Sequence, residues 1–496
     1  MSRLSPYRGL GGRLQHDQAT GWSGLPRSWS ASLGRDDRDS VDCGVALVNV
    51  RTRIPRLSPS ANRSPGPVVT IGLVGLAVLV FLSAQVNVAL ALVMIAGILL
   101  GGVVIVLGRI EYLLNLLMIT ALIEGLQVGP VTTGRVAAFG SLVAVLGMMA
   151  LTDWRPVRTP FQLWIPSVLL LSWAVLSGLW SASTDAWLLG LAKMAVGVCV
   201  LVVTALTLRG PAVFTSMMRS YVVAASLICV PATLQVLQGK RAVGLGGGPN
   251  ALATALVIAF LALAYLVRLR GFRRSRALLF CCGPLLIFGV VATGSRAGLL
   301  GLLFAGLLVA YDVAPKQNRG RVVFASALVM VVSLTGALSV SGLAAGRFDP
   351  AGAFEDRGAG RLVRWSVAIR QVEDAPLHGM GLLNFGTRAA DLLAKEPGVS
   401  GYAITDESKP VHNQYLDFLV NLGIVGLALY LWTVGRAMMA VWLCPDDWSG
   451  PANTLIMQMF AVLSFLLFFG SAINNKHLWL LIGTSIAMHA LPDRRP

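Results

Sequence analysis

The sequence predicts an all-α polytopic integral membrane protein with 12–14 transmembrane helices and one large, partly helical external loop. Hydrophobic residues make up 55% of the 496 residues and charged residues only 13%, whereas soluble domains carry about 25% charged residues. Mean hydropathy is +0.72. Because the chain lacks the charge to cover a water-facing surface, we exclude a soluble enzyme, a disordered chain and a coiled coil. The apolar stretches are long and unbroken, so they indicate helices rather than the alternating strands of a membrane barrel.

Four segments follow from the distribution of apolar residues. Residues 1–66 are polar and rich in Arg, Gly, Ser and Pro, which predicts a disordered, basic cytoplasmic tail. Residues 67–341 hold the N-terminal transmembrane helices, 342–413 a large external (periplasmic) loop that carries the site, and 414–496 the C-terminal transmembrane helices. The runs of a length that crosses a bilayer are 67–85, 87–107, 110–127, 136–152, 162–180, 186–207, 213–238, 251–268, 277–294, 297–313, 321–341, 414–436, 453–473 and 476–491.

Clusters of basic residues predict the orientation. The formal net charge is +17, and basic residues of polytopic proteins concentrate in cytoplasmic loops. Five arginines lie in residues 268–276, three basic residues in 316–321, two arginines at 494–495 and ten before residue 66. A multi-pass protein of the bacterial plasma (inner) membrane with both termini in the cytoplasm places all four clusters on one side. Since the clusters lie in separate loops, we expect no nucleic-acid partner.

The external loop contains a predicted helix from Arg361 to Asp374. A glycine-rich stretch precedes this helix, and Pro376 follows it. Arg361, Trp365, Ile369 and Val372 lie along one stripe at helical spacing. The stripe suits a helix that lies at the membrane interface, with the tryptophan as its anchor.

Two external arginines are candidates for binding a pyrophosphate. Arg296 lies in a tight turn between two apolar runs, and Arg361 opens the loop helix, with Arg364 as a nearby alternative. A guanidinium contacts phosphate oxygens bidentately, so two arginines from different segments can hold a pyrophosphate at the outer leaflet. The alternative for Arg296 alone is a side chain that extends to the membrane surface.

His412 is the candidate general base, because it alone among the five histidines lies where the large loop meets a membrane helix. A neutral imidazole accepts a proton from a hydroxyl near pH 7. The alternative is a polar start of a helix, with Asn413 at the N-cap position. Asp417, one turn later, either orients His412 or faces a polar cleft.

Two further residues are secondary candidates. Asn250 ends a glycine-rich external turn, residues 246–250, whose backbone amides can approach a polar ligand. Lys193 lies inside an apolar run, where ionisable residues are functional by default. The sequence contains no Walker motif, no zinc-binding His-Glu-x-x-His and no Gly-x-Ser-x-Gly, so we expect neither a metal nor a cofactor.

The order of several short motifs resembles that of the O-antigen ligase/polymerase superfamily across residues 240–435. The motifs are Gly-Pro-Asn at 248–250, Thr-Gly-Ser-Arg-Ala-Gly at 293–298, Gly-Arg-Leu-Val-Arg-Trp at 360–365, Pro-Leu-His-Gly-Met-Gly-Leu-Leu-Asn-Phe at 376–385 and His-Asn-Gln-Tyr-Leu at 412–416, with Gly423 and Gly426 behind them. His378 departs from the family pattern, which has an aromatic or aliphatic residue there. The N-terminal tail is also longer than usual.

The resemblance implies a metal-independent glycosyltransferase at the outer face of the plasma membrane. Its donor is a glycan on undecaprenyl pyrophosphate, and membrane lipids surround it. By position in the motifs, Arg296 and Arg361 bind the pyrophosphate and His412 activates the acceptor hydroxyl, which attacks with inversion. The acceptor stays open between a lipid A-core sugar, the end of another lipid-linked glycan and a protein hydroxyl.

A transporter or flippase for a lipid-linked or anionic solute is the alternative function. That function predicts internal repeats and paired charges in the middle of the membrane. Lys193 is the one good candidate for such a pair, and the sequence shows no obvious partner for it. A structural membrane anchor is a third class, but it leaves the external arginines and His412 without a role.

Overall fold

Helices account for nearly all of the regular structure in the computed structural model. The structure describes residues 111–123, 127–128, 131–244, 248–270, 272–340, 361–387, 389, 411–444, 449–470 and 475–490. These residues form α1 (Glu111–Leu122), α2 (Thr133–Leu151), α3 (Ile165–Leu176), α4 (Thr184–Thr207), α5 (Pro211–Leu237), α6 (Pro249–Arg270), α7 (Phe272–Ala292), α8 (Arg296–Val313), α9 (Arg319–Val340), α10 (Arg361–Asp374), α11 (Gln414–Trp442), α12 (Ser449–Leu467) and α13 (Lys476–Ala490).

The prediction of a polytopic, all-helical membrane protein is confirmed. Each of the twelve spans predicted after residue 109 overlaps a helix. Among the described residues, seven helices are long and apolar enough to cross a membrane, namely α2, α4, α5, α6, α8, α11 and α12. The predicted tail at 1–66 and the spans at 67–85 and 87–107 lie outside the described residues.

The predicted span at 110–127 is wrong in its extent. Helix α1 ends at Leu122, and Gln127–Val128 pairs as β1 with β2, Val131–Thr132, in an antiparallel hairpin. The sequence between the strands is Gly129-Pro130, which favours a turn over a continued helix. Thr132 then caps α2, because its hydroxyl accepts a hydrogen bond from the Arg135 amide at 3.3 Å.

Helix α13 lies at the centre of the bundle. All of its residues from Lys476 to Met488 are buried, and it packs between α4 and α11. A Cβ on Gly483 would lie 2.6 Å from the Leu201 carbonyl oxygen of α4, so the glycine permits this close contact between the helices. An apolar helix that is buried all round is expected in such a central position.

Helix α11 is broken at Gly423, which has φ 69° and ψ −172°. The break frees backbone groups that have no partner within the helix, and no water is present at membrane depth to satisfy them. A segment of the loop before α11, Pro376–Phe385, supplies the partners. The Met380 amide donates to Val420 O at 3.0 Å and the Gly381 amide to Asn421 O at 2.9 Å.

After the break, α11 donates to the segment instead: the Ile424 amide donates to Pro376 O at 2.9 Å. Just before the break, the Leu422 carbonyl accepts a hydrogen bond from the Trp173 indole of α3 at 2.9 Å. The Asn421 side chain also links α11 to the Pro376–Phe385 segment, since its Oδ1 accepts a hydrogen bond from the Phe385 amide at 2.9 Å. The Pro376–Phe385 segment therefore lies inside the fold, where its hydrogen bonds replace those that α11 lacks at the break.

A second, smaller core holds α10 and the Pro376–Phe385 segment on α11. It combines Val367 and Ala368 of α10 with Met380 and Phe385 of the external segment and Val420 of α11. The bounds predicted for the loop helix are confirmed by α10. The predicted stripe of α10 does not coincide with the face that the helix buries. Ile369 of the stripe is 53% exposed, and the buried residues are Val363, Val367, Ala368 and Gln371.

We predict that Gly423→Ala strongly destabilises the protein. A Cβ there would overlap the Leu377 carbonyl, and a left-handed conformation costs a residue with a Cβ about 1–2 kcal/mol before that overlap is counted. Thermal unfolding of the purified protein in detergent measures the effect. Gly435→Ala in the same helix is the matched control, because nothing lies within 4 Å of its Cβ position. Equal melting temperatures for the two variants would contradict the role of the break.

Candidate active site

A cavity of about 260 Å³ opens at one end of the bundle. Its apolar wall comes from the end of α1, the start of α6 and the end of α12. Its polar wall consists of Asn250, Ser295, His412, Asn475, Lys476 and His477. These residues come from four segments that are far apart in the sequence, and the fold brings them together.

The starts of four helices meet at this cavity. Asn250 is the second residue of α6, Ser295 is the N-cap of α8, and Lys476 is the first residue of α13. His412 directly precedes Asn413, the N-cap of α11. The N-terminal turn of a helix presents free amide groups and a partial positive charge. Four such turns around one polar space favour a negatively charged ligand.

Residues 281–431 match the O-antigen ligase family model. This matched domain is similar to O-antigen ligases. The match confirms the resemblance to the O-antigen ligase/polymerase superfamily that the sequence motifs indicate. No curated protein matches the chain. The domain runs from α7 into α11, so it contains His412 and Ser295, whereas Asn250 and Lys476 reach the cavity from outside it.

The turn before α8 is held from two directions. Ser295 accepts a hydrogen bond from the Gly298 amide at 3.1 Å and donates its own proton to Asn250 Oδ1 at 2.8 Å. Arg241 donates through Nε to Thr293 O at 3.0 Å and through Nη2 to Gly294 O at 3.2 Å. Arg241 therefore fixes the turn. Because the Asn250 oxygen is engaged, its amino group is the donor that this side chain can offer to a ligand.

His412 has a strained backbone. Its φ is +58°, in the left-handed region that few residues other than glycine adopt, although histidine tolerates it better than most. The flanking residues hold this conformation: Val411 is fully buried, the Trp365 indole donates to the Val411 carbonyl at 3.2 Å, and Asn413 caps α11 through the Leu416 amide at 3.1 Å. Strain of this kind concentrates at functional sites.

Asn413 and Asp417 have local structural roles. The N-cap role that the sequence gives as the alternative for Asn413 is confirmed. Asp417 is 2% exposed, and its Oδ1 accepts from Asn421 Nδ2 at 2.9 Å. The charges of Asp417 and Arg135 both act on Lys193. The Asp417 carboxylate at the start of α11 is therefore one of the charges whose field reaches Lys193, and the charge of Arg135 opposes it.

The three arginines that the sequence singles out, Arg296, Arg361 and Arg364, lie beside the cavity rather than in its described wall. Arg296 is half-buried between Ser295 and Ala297, both of which line the cavity. The Arg361 guanidinium lies 5.8 Å from the ring centre of Phe469, another lining residue. Arg364 is half-buried on the next turn of α10. Both arginines proposed from the motifs are thus brought to the same end of the bundle as His412.

Sequence reasoning gives no role to Lys476 and His477. Both are buried, and His477 Nε2 lies 2.7 Å from the Tyr221 hydroxyl. The signal that could have revealed them is the polar run Asn474-Asn475-Lys476-His477 between two apolar spans. Among the described residues, no group of three His, Cys, Asp or Glu side chains is placed to hold a metal ion.

We predict that His412→Gly is more stable to unfolding than His412→Ala. Both variants lose the imidazole, but glycine adopts a positive φ without the steric cost of about 1–2 kcal/mol that a Cβ brings. Chemical unfolding of the two variants in one detergent measures the difference. If alanine proved the more stable of the two, the backbone of His412 would not be strained.

Proposed function

We propose that the protein transfers a glycan from an undecaprenyl-pyrophosphate donor to a hydroxyl acceptor at the outer face of the plasma membrane, as an O-antigen ligase or a surface-polysaccharide polymerase. The O-antigen ligase domain indicates the class of enzyme. The observation that carries the proposal is the cavity, where four helix N-termini surround a polar space that contains a strained histidine.

The leaving group of this reaction is a pyrophosphate, which departs as an anion. It requires positive charge around its oxygens, and fixed cations and helix N-termini supply that charge without reorganisation during the reaction. In the proposal, Arg296 at the start of α8 and Arg361 at the start of α10 contact the pyrophosphate bidentately. Protein cations thus take the place of a divalent ion, so the proposed transfer is independent of metal.

His412 is the proposed general base. Its imidazole accepts the proton of the acceptor hydroxyl while the hydroxyl oxygen forms a bond to the anomeric carbon. The bond from that carbon to the pyrophosphate oxygen breaks, and its electron pair leaves with undecaprenyl pyrophosphate. Because the base and the leaving group lie on opposite sides of the sugar, the anomeric configuration inverts. The fixed backbone at His412 keeps the imidazole in place without loss of entropy in the reaction.

The charges that act on Lys193 fit this function better than a transporter. A transporter predicts paired charges in the middle of the membrane. Lys193 does interact with Asp417, but Asp417 lies in the first turn of α11, at the end of the bundle where the cavity opens. We therefore assign the charges of Lys193, Asp417 and Arg135 to the support of the cavity.

We predict that His412→Gly reduces glycan transfer by about 100-fold or more, the usual effect of losing a general base. Arg361→Lys reduces it by about 100-fold, because the bidentate contact is lost. The assay incubates purified protein with a glycan on undecaprenyl pyrophosphate, and products are sized on a gel. A ladder from donor alone identifies a polymerase, and a shift that needs an added acceptor identifies a ligase.

The matched controls are His378→Ala, which removes an exposed imidazole of the external loop, and Arg321→Lys on an exposed turn of α9. Both controls are expected to transfer at the rate of the unmodified protein. If His412→Gly transferred at that rate as well, His412 would not be the base. Movement of the intact donor across the bilayer, with no product from any acceptor, would favour the transporter instead.

We also predict that chelation leaves transfer unchanged. Arginines and helix N-termini provide the positive charge in the proposed mechanism, so millimolar EDTA has nothing essential to remove. The rate is measured in the same gel assay before and after EDTA treatment, followed by addition of Mg²⁺ or Mn²⁺. A loss of activity that either ion restores would overturn the metal-independent mechanism.

A further inference from the structure

A groove of about 440 Å³ lies between α8 and α9, near the short turn that joins these two helices. Further from the turn the helices are in close contact, because a Cβ on Gly306 of α8 would lie 2.6 Å from the Met330 sulfur of α9. Nearer the turn, small residues of α9 leave space. Nothing lies within 4 Å of the Cβ position of Gly320, and Ala327 lines the groove.

The walls of the groove are apolar and open to the outside of the bundle. Apart from Arg319, the described residues that line it are uncharged: Leu307, Tyr311, Gly320, Val323, Phe324 and Ala327. Tyr311 and Phe324 are 54% and 72% exposed. Helix α8 is apolar and long enough to cross a membrane, and α9 packs mainly on α8. Exposed apolar side chains on such helices contact lipid, so the groove suits a hydrocarbon chain better than a solute from water.

Arg319 is the one charged residue in the described wall of the groove. Its guanidinium lies 4.3 Å from the ring centre of Tyr311, which also lines the groove. The Arg319 Nε is buried and has no hydrogen-bond partner among the described residues. The nearest acidic residue in the sequence is Asp312, and its carboxylate pairs with Arg268. Because a buried donor without a partner is costly, an anion that accepts this hydrogen bond would bind favourably.

The surroundings of Arg319 add positive charge at this end of the groove. Arg319 is the first residue of α9, and the first turn of α9 contains no acidic residue. The start of a helix carries a partial positive charge, and Lys316 and Arg321 are exposed beside it. The orientation predicted from the sequence places this basic cluster in the cytoplasm, where basic pockets between membrane helices bind anionic headgroups.

We propose that the groove between α8 and α9 binds one anionic phospholipid. The lipid phosphate contacts the Arg319 guanidinium, which matches phosphate oxygens bidentately, and an acyl chain lies along Leu307, Val323 and Ala327. A zwitterionic lipid would bring a second positive charge to a site that is already positive, and a soluble phosphate would leave the apolar groove unfilled. The groove shares no described lining residue with the polar cavity, so this inference is independent of the proposed function.

The test measures the dissociation constant of the first bound phosphatidylglycerol, by native mass spectrometry of the purified full-length protein in detergent. We expect Arg319→Gln to weaken binding by about tenfold, equivalent to about 1.4 kcal/mol. Arg158→Gln is the matched control, because it removes the same charge from an exposed position between α2 and α3, and it should leave binding unchanged.

A second pair of variants tests the apolar part of the groove. Ala327→Phe fills the groove and keeps every charge, so it should weaken phosphatidylglycerol by about tenfold as well. Ala325→Phe is its control, because Ala325 is exposed on α9 and does not line the groove. Gel filtration checks that each variant is folded. Phosphatidylcholine with the same acyl chains should bind more weakly, and an excess of glycerol phosphate should not displace the lipid.

Four results would overturn the inference. Unchanged binding by Arg319→Gln would show that its guanidinium does not hold the phosphate, and unchanged binding by Ala327→Phe that no acyl chain lies in the groove. An equal loss in Arg158→Gln, or equal affinity for phosphatidylcholine, would indicate general adsorption of lipid. Displacement by glycerol phosphate would indicate a site for a soluble phosphate instead.

Discussion

The break of α11 at Gly423 is the constraint on which the site depends. A membrane helix cannot leave its backbone groups without partners, so the break requires another segment to supply them. The Pro376–Phe385 segment does so with hydrogen bonds on both sides of the break. Because α10 and the segment share a core with the first half of α11, this described part of the loop belongs to the bundle. The strained residue His412 is anchored through that same core by Val411.

The polar end of the bundle follows a simple electrostatic logic. Each helix that starts there contributes free amides, and the caps formed by Ser295, Asn413 and Asn475 fix where those helices start. Arg241 and Asn250 hold the turn before α8 by hydrogen bonds to other segments. Positive charge is thus arranged by the fold before any ligand arrives. Such preorganisation is what a reaction with an anionic leaving group requires.

Much of the fold is visible in the sequence because long apolar runs and basic loops are local signals. The bounds of α10 follow from a glycine-rich stretch before it and a proline after it. The motifs across residues 240–435 indicate the family whose model matches residues 281–431. The helix predicted at 110–127 was too long because hydropathy does not reveal a short β-hairpin. The buried face of α10 is set by tertiary contacts with Val411 and Val420. The spacing of apolar residues within the helix cannot predict these contacts.

The long-range pairs of the site were beyond local reasoning. Gly423 is visible in the sequence only as a glycine of a motif. The Leu377 carbonyl that packs against it lies in a different segment. The sequence does not show that the charges of Asp417 and Arg135 act on Lys193, because only the fold determines which charges lie within range. Lys476 resembles an ordinary residue of an external turn, and only its burial beside Gly134 distinguishes it. These assignments depend on which helix ends meet, and the fold alone determines that.

The most direct test is a cryo-electron microscopy structure of the full chain in lipid nanodiscs with undecaprenyl pyrophosphate. The account predicts density for the two phosphates at the cavity bounded by Asn250, Ser295 and His412, with guanidinium contacts from Arg296 and Arg361. A pyrophosphate bound instead at the groove of about 440 Å³ between α8 and α9, beside Tyr311 and Arg319, would contradict the account. In that case the polar cavity would not be the donor site.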